Sequence, residues 1–143
     1  MVTSRNAVQK AVMDKSRLTI PVAWHQETLL SAAPGATNIP LPITLGTTWD
    51  PELVAATYEM VALESRAAGA DVAYFPELNM YTDPRFGRLQ EGFSEDPTLT
   101  SEMAVASVLG IQGGPGSPTT YLDSNHTIAL AKHWVAYGDS AGG

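Results

Sequence analysis

Three groups of residues in this chain carry side chains able to do chemistry. Gly138-Asp139-Ser140-Ala141-Gly142 fits G-x-S-x-G, the strand-to-helix turn that presents a serine nucleophile. Lys132-His133 closes an apolar run, where an ammonium beside an imidazole offers donors to vicinal hydroxyls without a phosphate or a metal. The segment "DPRFGRLQEGFSEDP" is the densest polar stretch. Arg85 or Arg88 in it pairs with Glu91, Glu95 or Asp96 as a solvated loop, or turns into a pocket, or the two arginines divide these tasks. Acid–base work on sugars needs two carboxyl groups roughly 5 to 9.5 Å apart. Glu27, Glu77, Glu91 and Glu95 are candidates, and the sequence leaves open which two face one another.

The serine turn lacks its partners. It requires a following helix, then an acid and a histidine further along. The chain runs only three residues past Ser140. The "GGPG" at 113–116 follows a predicted helix rather than an early strand, so it is no oxyanion loop. A Gly/Ser loop is the better reading, and esterase chemistry through Ser140 ranks third. His25, His126 and His133 are far apart and lack i,i+4 ligand spacing, which leaves a metal site unsupported. Cysteine is absent, which excludes disulfides and thiolate sites. Asn125-His126-Thr127 matches a glycosylation sequon, a triplet too common to carry weight.

The elements that must position these groups alternate. Residues 5–17 read as a short helix with Val8, Ala11 and Val12 on one side. Leu18–Glu27, "LTIPVAWHQE", reads as a buried strand beginning after Pro21. Residues 31–49, rich in Pro and Gly, read as a loop. Asp50-Pro51 is a cap and first-turn pair, and Leu53, Ala56, Met60, Leu63 and Ala67 form a stripe at helical spacing. Gly69 is placed to end that helix. Asp71–Leu78 is the next strand candidate. Asp96-Pro97 starts a helix carrying Leu99, Met103, Ala106 and Leu109, which fades at Gly113-Gly114, and "HTIALAKHW" is the third strand. Strands alternating with helices imply α/β architecture with a parallel sheet and right-handed crossovers. Ligands then gather at the carboxyl ends of the strands. All three predicted strands deliver polar groups there: His25-Gln26-Glu27, then Glu77 with Asp83, Arg85 and Arg88, then Lys132-His133.

Composition bounds the partners. With 143 residues the chain suffices for one ordinary domain, and 44% hydrophobic against 16% charged residues is globular. A formal charge of −7 and eight scattered Lys and Arg argue against a nucleic-acid backbone or an anionic membrane as partner. No segment approaches the roughly 20 apolar residues of a membrane span, and no signal peptide opens the chain.

"SRLTIPVAWHQE", "PGATNIPLPITLGTTWDPELV", "DPRFGRLQEGFSEDP" and "AKHWVAYG", in that order and spacing, resemble the N-terminal barrel domain of family 3 glycoside hydrolases, the β-glucosidase and β-xylosidase group. The match runs from about residue 16 to 138. The resemblance implies part of a (β/α)8 barrel, about three βα units, and a parent enzyme that releases terminal β-linked glucose or xylose from oligosaccharides or glycosides with retention. It implies no metal or organic cofactor. It places Glu27 on the family's acidic sugar-binding position, Arg88 on the arginine closing D-P-R-W-G-R, and Lys132 and His133 on its Lys-His pair. A glutamate at 27 leans slightly towards xylosidase-like members. Leu30-Ser31 replaces a frequent His-Gly, Phe86 a tryptophan, and Thr82 an arginine, departures that bear on subsite shape rather than class.

The resemblance also implies that the nucleophilic aspartate and the acid/base lie downstream of the Lys-His pair, outside this chain. A full barrel takes about 250 residues. The expectation is therefore a fragment whose missing strands and any second domain complete the site. Alone it would be unstable or aggregate, and would not hydrolyse glycosides. The second reading, from a different class, is a non-catalytic sugar-binding or structural remnant.

Overall fold

The computed structural model describes residues 2–114, 122–134 and 137–138. Helix α1 (Val2–Lys15) precedes strand β1 (His25–Glu27). A short helix α2 (Pro42–Gly46) and a long helix α3 (Pro51–Ala67) lead to β2 (Val72–Tyr74). Two single 3-10 turns, Pro84–Phe86 and Leu89–Glu91, then precede α4 (Pro97–Gln112) and β3 (Ile128–Ala129). The strands form one parallel sheet in the order β1-β2-β3, with Gln26 opposite Ala73 and Ala73 opposite Ala129. The fold is thus α/β with a parallel sheet, as the alternation of elements requires.

Both long helices start on the expected signals. Asp50 accepts a hydrogen bond from Leu53 N at 3.0 Å and Asp96 from Leu99 N at 2.8 Å. Each is followed by proline, whose missing N–H costs nothing in a first turn. The core lies between these helices and one sheet face. Val54, Tyr58, Val61, Ala73, Phe75, Met103 and Ile111 are fully buried there. Tyr58 stacks on Phe75 at 4.4 Å, and Phe75 meets Phe93 edge-on at 5.8 Å. At Gly110 a Cβ would lie 2.3 Å from Ala55 O, so only glycine lets α3 and α4 approach this closely.

Several expectations are corrected. Most of the predicted core stripe of α3 faces outward: Leu53, Ala56, Leu63 and Ala67 are exposed and only Met60 packs partly buried on the core, while Val54, Tyr58, Val61, Ala62 and Ser65 are buried. The helix is apolar on two flanks, and the Tyr58–Phe75 stack selects the aromatic one. In α4, Met103 and Ala106 are buried as read, Leu99 packs partly buried on the core, and Leu109 is exposed because Gly110 takes the contact position. Helix α1 buries no side chain, and Val8 is exposed. It is held by polar contacts instead: Arg5 donates to Ala68 O at 2.9 Å and Gln26 Oε1 at 3.0 Å, and Gln9 Oε1 accepts from Val22 N at 3.1 Å. The loop read over 31–49 contains α2, anchored by buried Leu45.

The strands are shorter than read. Pro76 has no N–H to give the ladder, so β2 stops before it and pairing resumes as a single bridge between Glu77 and Lys132. The covered sheet face carries Ala73; on the other, His25, Glu27 and Ile128 are exposed.

Candidate functional site

Parallel pairing sends the carboxyl ends of all three strands to one rim. Glu27 is the last residue of β1. Beyond β2 and β3 the bridge is built from Lys132 N donating to Pro76 O at 2.9 Å and Leu78 N donating to Lys132 O at 2.7 Å. These two bonds set the Lys132 side chain beside that of Glu77. The Lys132–His133 peptide bond is cis, as is Phe75–Pro76.

The side chains then close into one continuous set of contacts. Lys132 Nζ lies 2.7 Å from Glu27 Oε2 and 3.3 Å from Glu77 Oε1. Arg88 Nη2 reaches the same Glu77 Oε1 at 3.3 Å. Arg88 also grips Glu91 bidentately, with Nε to Oε1 at 2.7 Å and Nη2 to Oε2, and donates through Nη1 to Tyr137 Oη at 2.8 Å. The second oxygen of Glu77 accepts from Asn79 Nδ2 at 2.6 Å and Tyr81 Oη at 3.1 Å, and lies 3.1 Å from His133 Nδ1. The His133 ring sits 4.4 Å from that of Tyr137, over which the Arg88 guanidinium lies at 5.4 Å.

Exposure is graded across this set. The Glu77 side chain is fully buried, Lys132 is 14% exposed, Arg88 33%, His133 34% and Glu27 53%. A buried anion therefore sits beneath a layer of donors, with one carboxylate acceptor at the surface. The charges tune one another. Burial pushes the Tyr81 phenol up, and the Glu77 charge adds to the effect. The hydrogen bond from Arg88 holds the Glu91 carboxyl below its usual range, and the same contact raises Arg88 further.

All four residues singled out in the sequence, Glu27, Arg88, Lys132 and His133, meet in this cluster. The polar loop divides its arginines: Arg88 takes Glu91 and faces the rim. Arg85 instead pairs with Asp83 at 2.6 Å, not with Glu91, Glu95 or Asp96, because Asp83 caps the turn that carries it. Of the four candidate acid–base carboxylates, Glu77 is buried with both oxygens engaged, Glu91 is held by Arg88, and Glu27 by Lys132. Glu95 lines a separate small cavity of about 150 Å³ with Ile43, Tyr81, Leu89 and Ser94. Ser140 lies outside the described residues. Among the described residues no cluster of His, Asp and Glu is placed to hold a metal ion, and no helix is long and apolar enough to cross a membrane.

The sequence does not assign Asn79, Tyr81 or Tyr137 to the site; it offers Glu77 as a carboxylate at the end of the second strand, without its role as the buried centre of the cluster. One signal was available for Glu77: it is the single charge inside the apolar run "VAYFPEL". A charge in such a run is stable only where partners from elsewhere in the chain meet it.

The sequence profile of the glycosyl hydrolase family 3 N-terminal domain matches residues 2–143. The chain belongs to glycoside hydrolase family 3. A beta-xylosidase of Formosa agariphila is 37% identical over 134 residues, spanning 89% of this chain and 18% of that protein. Among solved structures, the beta-glucosidase from Listeria innocua in complex with glucose superposes with a TM-score of 0.81 at 34% identity, over 92% of this chain and 18% of that one. An exo-1,3/1,4-beta-glucanase from a Pseudoalteromonas species gives 0.89 at 31% identity, over 98% and 18%. The chain thus spans about a fifth of the length of these family 3 relatives. Phe86 is packed into the site's aromatic wall. It stacks on Tyr81 at 5.4 Å and meets Tyr137 edge-on at 5.1 Å.

Proposed function

We propose that this chain supplies the sugar-recognition rim of a family 3 glycosidase, built as about three βα units of a (β/α)8 barrel. The observation that carries this reading is the convergence of Glu27, Arg88, Lys132 and His133, from strand ends and one loop, through direct contacts at one rim. Each sugar hydroxyl both donates and accepts. Glu27, half-exposed, accepts; Lys132 and Arg88 donate; His133 adds a ring nitrogen beside them. Such a set orients a glucosyl or xylosyl ring, and its hydrogen bonds strengthen as the ring distorts towards the transition state. The reaction served is hydrolysis of terminal β-linked glucose or xylose with retention. The resemblance to family 3 assigns the nucleophile and the acid/base to residues other than those of this rim.

Titration with xylose and with glucose, followed through Trp134 fluorescence at sub-micromolar protein, tests the reading. Trp134 adjoins His133 and is 97% exposed. A saturable response lost in Glu27→Ala is expected; no response to either sugar would overturn it.

The pairing of Glu27, Glu77 and Glu91 with cations favours a second outcome, sugar binding without turnover. The sheet face on which His25, Glu27 and Ile128 are exposed favours self-association of the chain by itself. A monomer with a cooperative thermal transition and aryl-glycoside turnover would sink that reading.

A further inference from the structure

Glu77 is the fully buried carboxylate of the rim, and its environment is unusual for a group held only for packing. One oxygen, Oε1, stands 3.3 Å from both Lys132 Nζ and Arg88 Nη2. The other stands 3.1 Å from His133 Nδ1 and accepts from Asn79 Nδ2 and Tyr81 Oη. The three basic residues assigned to sugar recognition thus share one anion at their back. Lys132 and Arg88 each also have an outward alternative: Lys132 has Glu27 and Arg88 has Glu91. Without a central anion, mutual repulsion and these outer partners would draw Lys132 and Arg88 apart. A buried, fully partnered carboxylate holds them at one spacing instead, and its desolvation is compensated only while the partners stay in place.

We propose that Glu77 is a positioning residue, the common counter-ion that sets the spacing of the Lys132, Arg88 and His133 donors offered to a sugar ring. The role of those donors rests on the sugar-rim reading above, whereas the counter-ion role stands on geometry alone. Glu77 touches solvent nowhere, so it acts through the three residues and not on the sugar.

The test has one arm without sugar and one with it. The first is a double-mutant cycle of Glu77→Gln and Lys132→Met, read as urea-dependent protease resistance of the full chain displayed singly on a cell surface, where self-association does not intervene. Lys132→Met is expected to lower the midpoint clearly in the wild-type background and much less, or not at all, beside Glu77→Gln. Additive shifts, or a wild-type chain without a protease-resistant state, would overturn the counter-ion role. The second arm measures xylose and glucose affinity of the displayed chains. Glu77→Gln is expected to lose at least tenfold with its protease resistance largely kept, and Glu77→Asp, which restores the charge, to recover part of the loss. Unchanged affinity in Glu77→Gln or in Glu77→Met would overturn the positioning role. Coupling in the first arm with no sugar binding by the wild type would leave the counter-ion standing and remove the sugar reading.

Discussion

The two ends of the sheet use the same residue types in opposite ways. At the amino end, each carboxylate serves the backbone as well as one basic side chain. Asp71 Oδ2 accepts from Trp24 N at 2.9 Å while Oδ1 takes Arg66 at 2.8 Å, and Asp123 Oδ1 accepts from Asn125 N at 2.8 Å. That last bond, with His126 adding to it, holds the Asp123 carboxyl below its usual range. Arginine there caps carbonyls, Arg5 on Ala68 and Arg66 on Ala70. At the carboxyl end, Glu27, Glu77 and Glu91 face Lys132, Arg88 and His133, side chain to side chain. The amino end spends its charges on loose backbone ends, which folding demands anyway. The rim gathers more charge than any backbone group there needs, which supports the proposed sugar-binding reading.

Substitutions sort the two ends. Arg88→Ala is expected to have the largest effect, a loss of about 3 kcal/mol in the urea-dependent protease resistance of the displayed chain, because it strips a partner from buried Glu77 and from Glu91 together. A loss below that of an exposed ion pair would erase the distinction between the two ends. Asp71→Ala is expected to cost about 1–2 kcal/mol by leaving Trp24 N without its acceptor, and to leave sugar affinity unchanged. A fall in affinity would join the two ends into one site. Glu91 sharpens the contrast through pH. Its carboxyl is depressed in the folded state by Arg88. The stability it adds is therefore complete above the unfolded carboxyl value, about 4.3, and is lost as pH falls through the lower folded value. The urea midpoints of wild type and Glu91→Gln should differ by a constant amount from pH 7 to about 5 and converge at lower pH; a difference that grows on acidification would contradict the pairing. The smallest stability change is expected for Glu27→Gln, under about 1 kcal/mol because its pair is half in water. The same variant should lose most of its sugar affinity in the fluorescence titration.

Much of this was legible in the chain. Asp50-Pro51 and Asp96-Pro97 mark helix starts because a cap and a first-turn proline act within one turn and need no distant partner. The α/β alternation, with three strand ends carrying polar groups, pointed to the rim because parallel strands can end only on the same side. Resemblance in four motifs pointed to the same residues. What failed was orientation. The stripe through Leu53 and Leu63 was as apolar as the one through Val54 and Tyr58, and only packing against Phe75 and α4 chose between them. Helix α1, read as having an apolar side, docks through Arg5 and Gln9 because Ala68 O, Gln26 and Val22 N lie within their reach.

Sequence alone therefore settled what is local or periodic: the starts of the two long helices, the order of strands and long helices, and which polar residues follow the strands at their carboxyl side. The tertiary structure decided what depends on distant segments meeting. It placed Glu77, set between Pro76 and Leu78 in an apolar run, beneath cations arriving 11 and 55 residues later in the chain, Arg88 and Lys132. No periodicity encodes such a meeting, because a buried charge is made tolerable only by partners that the fold itself brings.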